Sequence, residues 1–340
     1  MCRVRSFLTA PLAAALAGVM AACSGGPAGT PTAATSAQPS SSPGVSKSPA
    51  PTASQSIDAP VRIPLSGAAP DAIVLDGDTA WVLAGEGGTL MEVNLAAGRE
   101  LRSIDVGFGA THLALPSPGV AAVARFDDSG SGTFLPIVDL ETGSRDTVET
   151  GALGGLARGE GGVVWALEKA GRLLKVDTAA RRVVGAAPVD IGQNVHTEVQ
   201  WGAGSAWVGS DGTPVLRIGD DLSIEATIRV DTGLPFLVRD GLVWGAGPEQ
   251  LWAIDPASNA VTRRLPLEDV AEILALDVDG AEAWLAVRHP DQVGAVIRLD
   301  LASGDVVAEH AISLPAAVRL APDRAWVASY LTNELLGFSR

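Results

Sequence analysis

Thr79-Ala80-Trp81-Val82-Leu83-Ala84 is a short apolar run centred on a tryptophan, and its context recurs down the chain. Trp165 stands in VVWALE, Trp207 in SAWVGS, Trp244 in LVWGAG, Trp284 in EAWLAV and Trp326 in RAWVAS, at successive intervals of 84, 42, 37, 40 and 42 residues. The first interval holds two periods, because GVAAVAR (119–125) repeats the context with Ala121 at the tryptophan position. Seven units of about 40 residues result, and self-similarity at such a period marks a propeller or solenoid.

Within the first unit, turn residues divide the chain into four strands: Ala72 to Leu75, Thr79 to Ala84, Thr89 to Leu95 and Glu100 to Val106. The third strand usually ends in Asp or Asn, followed four places later by Gly or Asn, as in Asn94 with Gly98, Asp139 with Gly143, Asp255 with Asn259 and Asp300 with Gly304. The first side chain can cap the turn and the last can take its left-handed position. Asp177 with Arg181 and the region of Gly219 break this pattern, so those two hairpins are expected to close differently.

The last unit stops at Arg340 without a fourth strand. Arg62-Ile63-Pro64-Leu65, which precedes the first unit, parallels Arg264-Leu265-Pro266-Leu267 in the fourth strand of the fifth. Proline is tolerated in an outer strand. The sequence therefore predicts an all-β, seven-bladed β-propeller of four-stranded blades over 59–340, the last blade closed by the N-terminal strand, which hides the edges an open array exposes. One tryptophan per blade at a fixed strand position reads as packing between blades. Trp201 and Trp252 lie outside that register, and Trp201, near the end of an innermost strand, is expected to approach the central channel.

The N-terminus reads differently. Arg3 and Arg5 precede an apolar run from Phe7 to Met20, then Ala21-Ala22-Cys23, the plan of an export signal over 1–22. The run is too short to span a bilayer permanently. These residues resemble the lipobox of bacterial lipoproteins, which implies lipidation of Cys23 and anchorage to the outer face of the cell membrane. Met20 stands where that family usually has Leu, Val or Ile, and an ordinary secretory signal with a chance cysteine is the competing account. Cys2 and Cys23 are the two cysteines, so removal of the signal leaves one, which cannot form an internal disulfide. Residues 24–58 hold nine serines, six prolines and four threonines with no aromatic residue. That composition cannot bury enough apolar surface to offset ordering, and reads as a disordered tether. A net charge of −15 argues against a nucleic-acid partner. The remaining partners open to the chain are a small molecule or an envelope protein, bound by a monomer.

The repeats resemble the YVTN and virginiamycin B lyase-like propellers of bacteria over residues 60–340. The residues that carry the likeness are Ala80-Trp81-Val82 followed by Glu92-Val93-Asn94-Leu95-Ala96-Ala97-Gly98, and Ala328-Ser329-Tyr330-Leu331-Thr332-Asn333-Glu334-Leu335-Leu336-Gly337-Phe338. The resemblance implies the architecture. The lyases use a histidine and acidic residues with magnesium, for which no residue-by-residue match is found here.

In a propeller the innermost strands line the channel, and one face gathers the loops that enter them. This face collects Asp71, Thr111, His112, His196, Glu198 and Tyr330 as candidate ligand-binding residues, with His112, His196 and Glu198 as candidates for catalysis. His196 and Glu198, two apart on an extended strand, would project to one side, as an acid/base couple, half of a divalent-cation site or a hydrogen-bonded pair at the rim. Phe126-Asp127-Asp128-Ser129-Gly130-Ser131-Gly132 clusters carboxylates in a way that raises calcium, although the spacing fits no EF-hand loop. No nucleophile triad, phosphate loop or dinucleotide fingerprint stands out. The sequence thus favours a binding scaffold displayed on the outer face of the membrane, with a magnesium-dependent lyase or hydrolase at the channel mouth as the alternative.

Overall fold

The computed structural model describes residues 59–125, 134–192, 196–230, 234–247 and 249–340. Among them are 28 strands in seven antiparallel sheets of four. Blade 1 is β2 to β5 (residues 70–105), blade 2 is β6 to β9 (110–149), blade 3 is β10 to β13 (153–188) and blade 4 is β14 to β17 (197–228). Blade 5 is β18 to β21 (236–266) and blade 6 is β22 to β25 (272–311). Blade 7 joins β26 (Pro315–Leu320), β27 (Arg324–Ser329) and β28 (Glu334–Ser339) to β1 (Val61–Pro64). The seven-bladed fold and its closure by the N-terminal strand are therefore as the sequence predicts.

The innermost strands are β2 (Pro70–Asp76), β6 (Ala110–Ser117), β10 (Leu153–Arg158), β14 (Thr197–Gly202), β18 (Phe236–Arg239), β22 (Glu272–Asp279) and β26. Each contacts the innermost strand of the blades on either side, and β26 contacts β2, so they form a closed ring. The second strand of each blade is packed on both faces and reads as continuous apolar sequence, whereas the outermost is mostly exposed. Seven clusters of buried side chains result, one in each wedge between neighbouring blades. Trp81, Trp165, Trp207, Trp244, Trp284 and Trp326 fill six wedges. The wedge between blades 2 and 3, where Ala121 replaces the tryptophan, is filled by aliphatic residues such as Ile137, Leu153, Leu156 and Leu174.

Two expectations need correction. Trp201 does not face the channel: it stacks on Trp165, with ring centroids 5.2 Å apart and planes 10° from parallel, and so thickens the wedge between blades 3 and 4. The hairpin at Asp177 closes like the others. Asp177 Oδ1 accepts from the backbone N–H groups of Ala179 and Ala180 at 3.0 and 2.8 Å, and Arg181 takes the left-handed position at φ 53° that Gly98 holds at 63° and Asn259 at 54°. The Asx cap outweighs the modest cost of an L side chain in that region. The hairpin after Gly219 does differ: Leu222 takes the left-handed position at φ 68°, with Gly219 N–H donating to Ser223 O at 2.9 Å.

Candidate functional site

Side chains of the inner strands enclose a channel cavity of about 540 Å³. Its entry on the loop face is shaped by a repeated irregularity. The inner strands of blades 1, 2, 3, 6 and 7 each shift register against the second strand after their first or second residue. The residue skipped is Asp71, Thr111, Gly154, Leu274 or Ala316. Such a bulge leaves one residue unpaired and re-aims its side chain. All of these except glycine line the cavity. Blade 4 has no shift, and there regular alternation turns Glu198 and Gln200 inward together.

Asp71 is the most perturbed acid. Its Oδ1 is buried without a hydrogen-bond partner among the described residues. Gly85 closes over the other oxygen: a Cβ there would lie 2.7 Å from Asp71 Oδ2 and 2.5 Å from Ala110 O, so a side chain is excluded. Burial, reinforced by the Glu86 carboxylate, pushes the Asp71 pKa up to about 8, against the pull of backbone N–H donors at 71 and 85. Tyr330 joins this corner, its hydroxyl donating to Glu86 Oε1 at 2.8 Å. Burial, that bond and the charge of Asp71 push the phenol up to about 12, so it remains a donor. His112 Nδ1 lies 3.0 Å from Thr111 Oγ1. Burial, helped by the charge of Lys169, lowers its pKa to about 4 and keeps the imidazole neutral. Glu198 accepts from Gln200 Nε2 at 2.8 Å, and burial raises it to about 7 despite that bond and the charge of Arg319.

The channel wall thus brings together Asp71, Thr111, His112 and Glu198, with Tyr330 reaching Asp71 through Glu86. His196 is not among them. β14 begins at Thr197, so strand alternation does not reach residue 196, and the expected couple with Glu198 is not formed. The imidazole is exposed instead, with Nδ1 3.2 Å from Asp211 Oδ2. The carboxylates Asp127 and Asp128 lie outside the described residues. Among the described residues, no three His, Cys, Asp or Glu side chains gather closely enough to hold a metal ion. Glu86, Gln200 and Arg319 were not singled out from sequence. A usable signal existed for Arg319, a charged residue at the fifth position of Pro-Ala-Ala-Val-Arg-Leu.

These shifts set opposite pH dependences. Folded Asp71 and Glu198 hold protons that their unfolded forms release near 3.8 and 4.5, so each lowers stability as pH rises toward about 8 and 7. Folded His112 stays neutral below 6.5, where the unfolded ring gains a proton, so it lowers stability as pH falls toward about 4. From about pH 6.5 to 8 the two acids act alone, and each proton held contributes a slope of up to about 1.4 kcal/mol per pH unit. Urea midpoints should fall over that window in the wild type and fall much less in Asp71→Asn. An unchanged slope in the variant would remove Asp71 as the source.

No family model matches the sequence, and no curated protein does. Solved structures do. The hydrazine synthase of Kuenenia stuttgartiensis superposes with a TM-score of 0.65 at 14% identity, over 81% of this chain and 96% of that one. A computationally designed protein, Ika8, superposes with a TM-score of 0.57 at 12% identity, over 81% of this chain and 98% of its own. At such identities the likeness shows the fold alone.

Proposed function

We propose that the protein is a cell-envelope lipoprotein, anchored through Cys23, whose propeller serves as a binding scaffold with its ligand site at the loop-face end of the channel. The observation that carries the binding reading is the polar wall assembled from separate blades: Asp71, Thr111, His112 and Glu198 converge on one cavity, held by rigid strands rather than by loops. A preorganised concave site with a few polar groups suits ligand binding. The export signal and Cys23 support the envelope location.

Two measurements test this. Cys23→Ala should move the protein from the membrane fraction to the soluble exported fraction and abolish incorporation of labelled palmitate. In a thermal-shift screen of anionic, neutral and cationic small polar molecules, a ligand that stabilises the wild type should lose its effect in His112→Ala and Glu198→Ala, with the fold of both intact by circular dichroism. Turnover of a substrate by the wild type, lost in those variants, would replace the scaffold reading by the lyase or hydrolase alternative.

A further inference from the structure

The chain is strongly acidic, with a net charge of −15, yet three inner strands turn an arginine toward the channel: Arg158 from β10, Arg239 from β18 and Arg319 from β26. Arg239 is engaged, its Nε donating to Val278 O at 3.2 Å and lying 4.0 Å from Asp277 Oδ1. Asp277 is engaged as well, since its oxygens accept from the backbone N–H groups of Val278 and Leu320. Arg319 differs. It donates through Nη1 to Val318 O at 2.7 Å, and its other N–H groups have no partner among the described residues. Arg158 has none there either.

Glu198 is the acid that feels the charge of Arg319, but the two do not form an ion pair within 4.0 Å. A gap therefore separates a guanidinium with free donors from a carboxyl near neutrality, inside a cavity of about 540 Å³. A guanidinium presents paired donors that match a carboxylate or another oxyanion. A carboxyl in its acid form adds a hydroxyl donor instead of a repelling charge.

We propose that the channel binds a small oxyanion, with Arg319 as its cationic anchor and Glu198 beside it on the same cavity wall. This assignment rests on the scaffold reading and names its ligand class. Binding is coupled to the proton on Glu198, so it weakens as pH rises through about 7. The other ionisable groups on the cavity wall are Asp71 and Asp76 from β2, His112 from β6, Arg158 from β10, Arg239 from β18 and Asp277 from β22. Of these, Asp71 also loses a proton near 8, in the same direction as Glu198.

The test is calorimetric titration of the mature protein with sodium succinate and with sodium sulfate at constant ionic strength, near pH 6 and near pH 8. Sulfate keeps its charge over that range, and succinate becomes only more negative as pH rises, so a change in ligand charge would not weaken binding near pH 8. Saturable binding near pH 6 should weaken about tenfold near pH 8, the factor expected for one proton released near 7. Arg319→Gln should weaken it at least about tenfold, by loss of the charge-assisted contact, and Arg319→Lys less. Glu198→Gln, which keeps a neutral donor, should bind at both pH values with a flatter dependence. Binding of succinate alone would indicate an organic acid, and binding of sulfate would indicate an inorganic oxyanion. Failure of both anions to saturate the wild type overturns the proposal, as does binding that ignores Arg319→Gln in a folded variant. If a neutral or cationic molecule then fills the channel, the scaffold reading stands and the oxyanion assignment alone has failed. If no ligand class binds, both fail.

Discussion

Trp207→Ala should lower the unfolding free energy by about 3–5 kcal/mol, as removal of a fully buried aromatic side chain from a close-packed wedge generally does. Trp207 is 0% exposed, its Nε1 donates to Gly202 O at 3.1 Å, and it packs into the cluster shared by blades 4 and 5. Its loss also removes the platform beneath a cation. The Arg217 guanidinium lies 5.4 Å from the Trp207 ring centroid and donates to Pro256 O and, at 3.2 Å, to Asn259 Oδ1, both on the next blade. The same strap recurs around the ring. Arg102 over Trp81 reaches Glu141 O at 3.0 Å, Lys175 over Trp165 reaches Asp220 Oδ1 at 2.6 Å, and Arg263 over Trp244 reaches Leu301 O at 3.2 Å. Each of these four tryptophans therefore fills a wedge and holds a cation that ties its blade to the next. In a double-mutant cycle, Trp207→Ala and Arg217→Ala should couple by about 0.5–1 kcal/mol, the range of a partly exposed cation–π contact. Urea denaturation measures both quantities. A cost for Trp207→Ala below about 1 kcal/mol would mean that the wedge collapses around the hole, contrary to its packing.

Ile63→Ala should cost about 2–5 kcal/mol, and Ile63→Asp should prevent closure of the ring. Ile63 is 0% exposed and pairs with Leu335 across β1 and β28. The β1–β28 ladder and the apolar cluster that Ile63 and Leu65 share with Trp326 and Leu335 fasten the two chain ends, with a few polar contacts beside them. Arg62 Nη1 meets Glu334 Oε2 at 2.8 Å on the surface, and two backbone N–H groups bond to Asn333, Leu65 to its main-chain oxygen and Ala69 to its side chain at 2.9 Å. An exposed ion pair of that kind contributes little, so the apolar contact dominates. A buried aspartate would either be uncompensated or force β1 away from β28, leaving an unpaired strand edge that invites association. Size-exclusion chromatography should then show oligomers for Ile63→Asp, and hydrogen exchange should show loss of protection in β28. A monodisperse variant with full protection there would show that the last blade does not depend on β1.

Much of the scaffold was legible because it is written locally and repeated. In the first unit the second strand, Thr79–Ala84, is placed to the residue by its apolar run and flanking turns. Its neighbours differ by one or two residues at their ends, where turn and strand compete. Closure was legible too, since the last unit lacks a fourth strand and the surplus first strand, Arg62-Ile63-Pro64-Leu65, parallels the fourth-strand sequence Arg264-Leu265-Pro266-Leu267. The site was read less well. Asp71, Thr111, His112 and Glu198 line the channel cavity because the starts of inner strands gather at one mouth in any such ring. His196 was misplaced because the strand begins one residue after it, and a single residue of register decides which side a side chain takes.

The repeat by itself determined the number of blades, the order of strands and the pairing of the two ends, because period, apolar runs and turn residues act over a few residues each. Only the tertiary structure decided which groups share the channel, which cations strap one blade to the next and which acids are pushed up by burial. The straps join residues about 40 positions apart, as Arg217 and Asn259 are. Glu198 and Arg319 face each other from blades 4 and 7. The physical reason is that burial, bulges and long-range charge depend on the closed ring, and no local pattern records them.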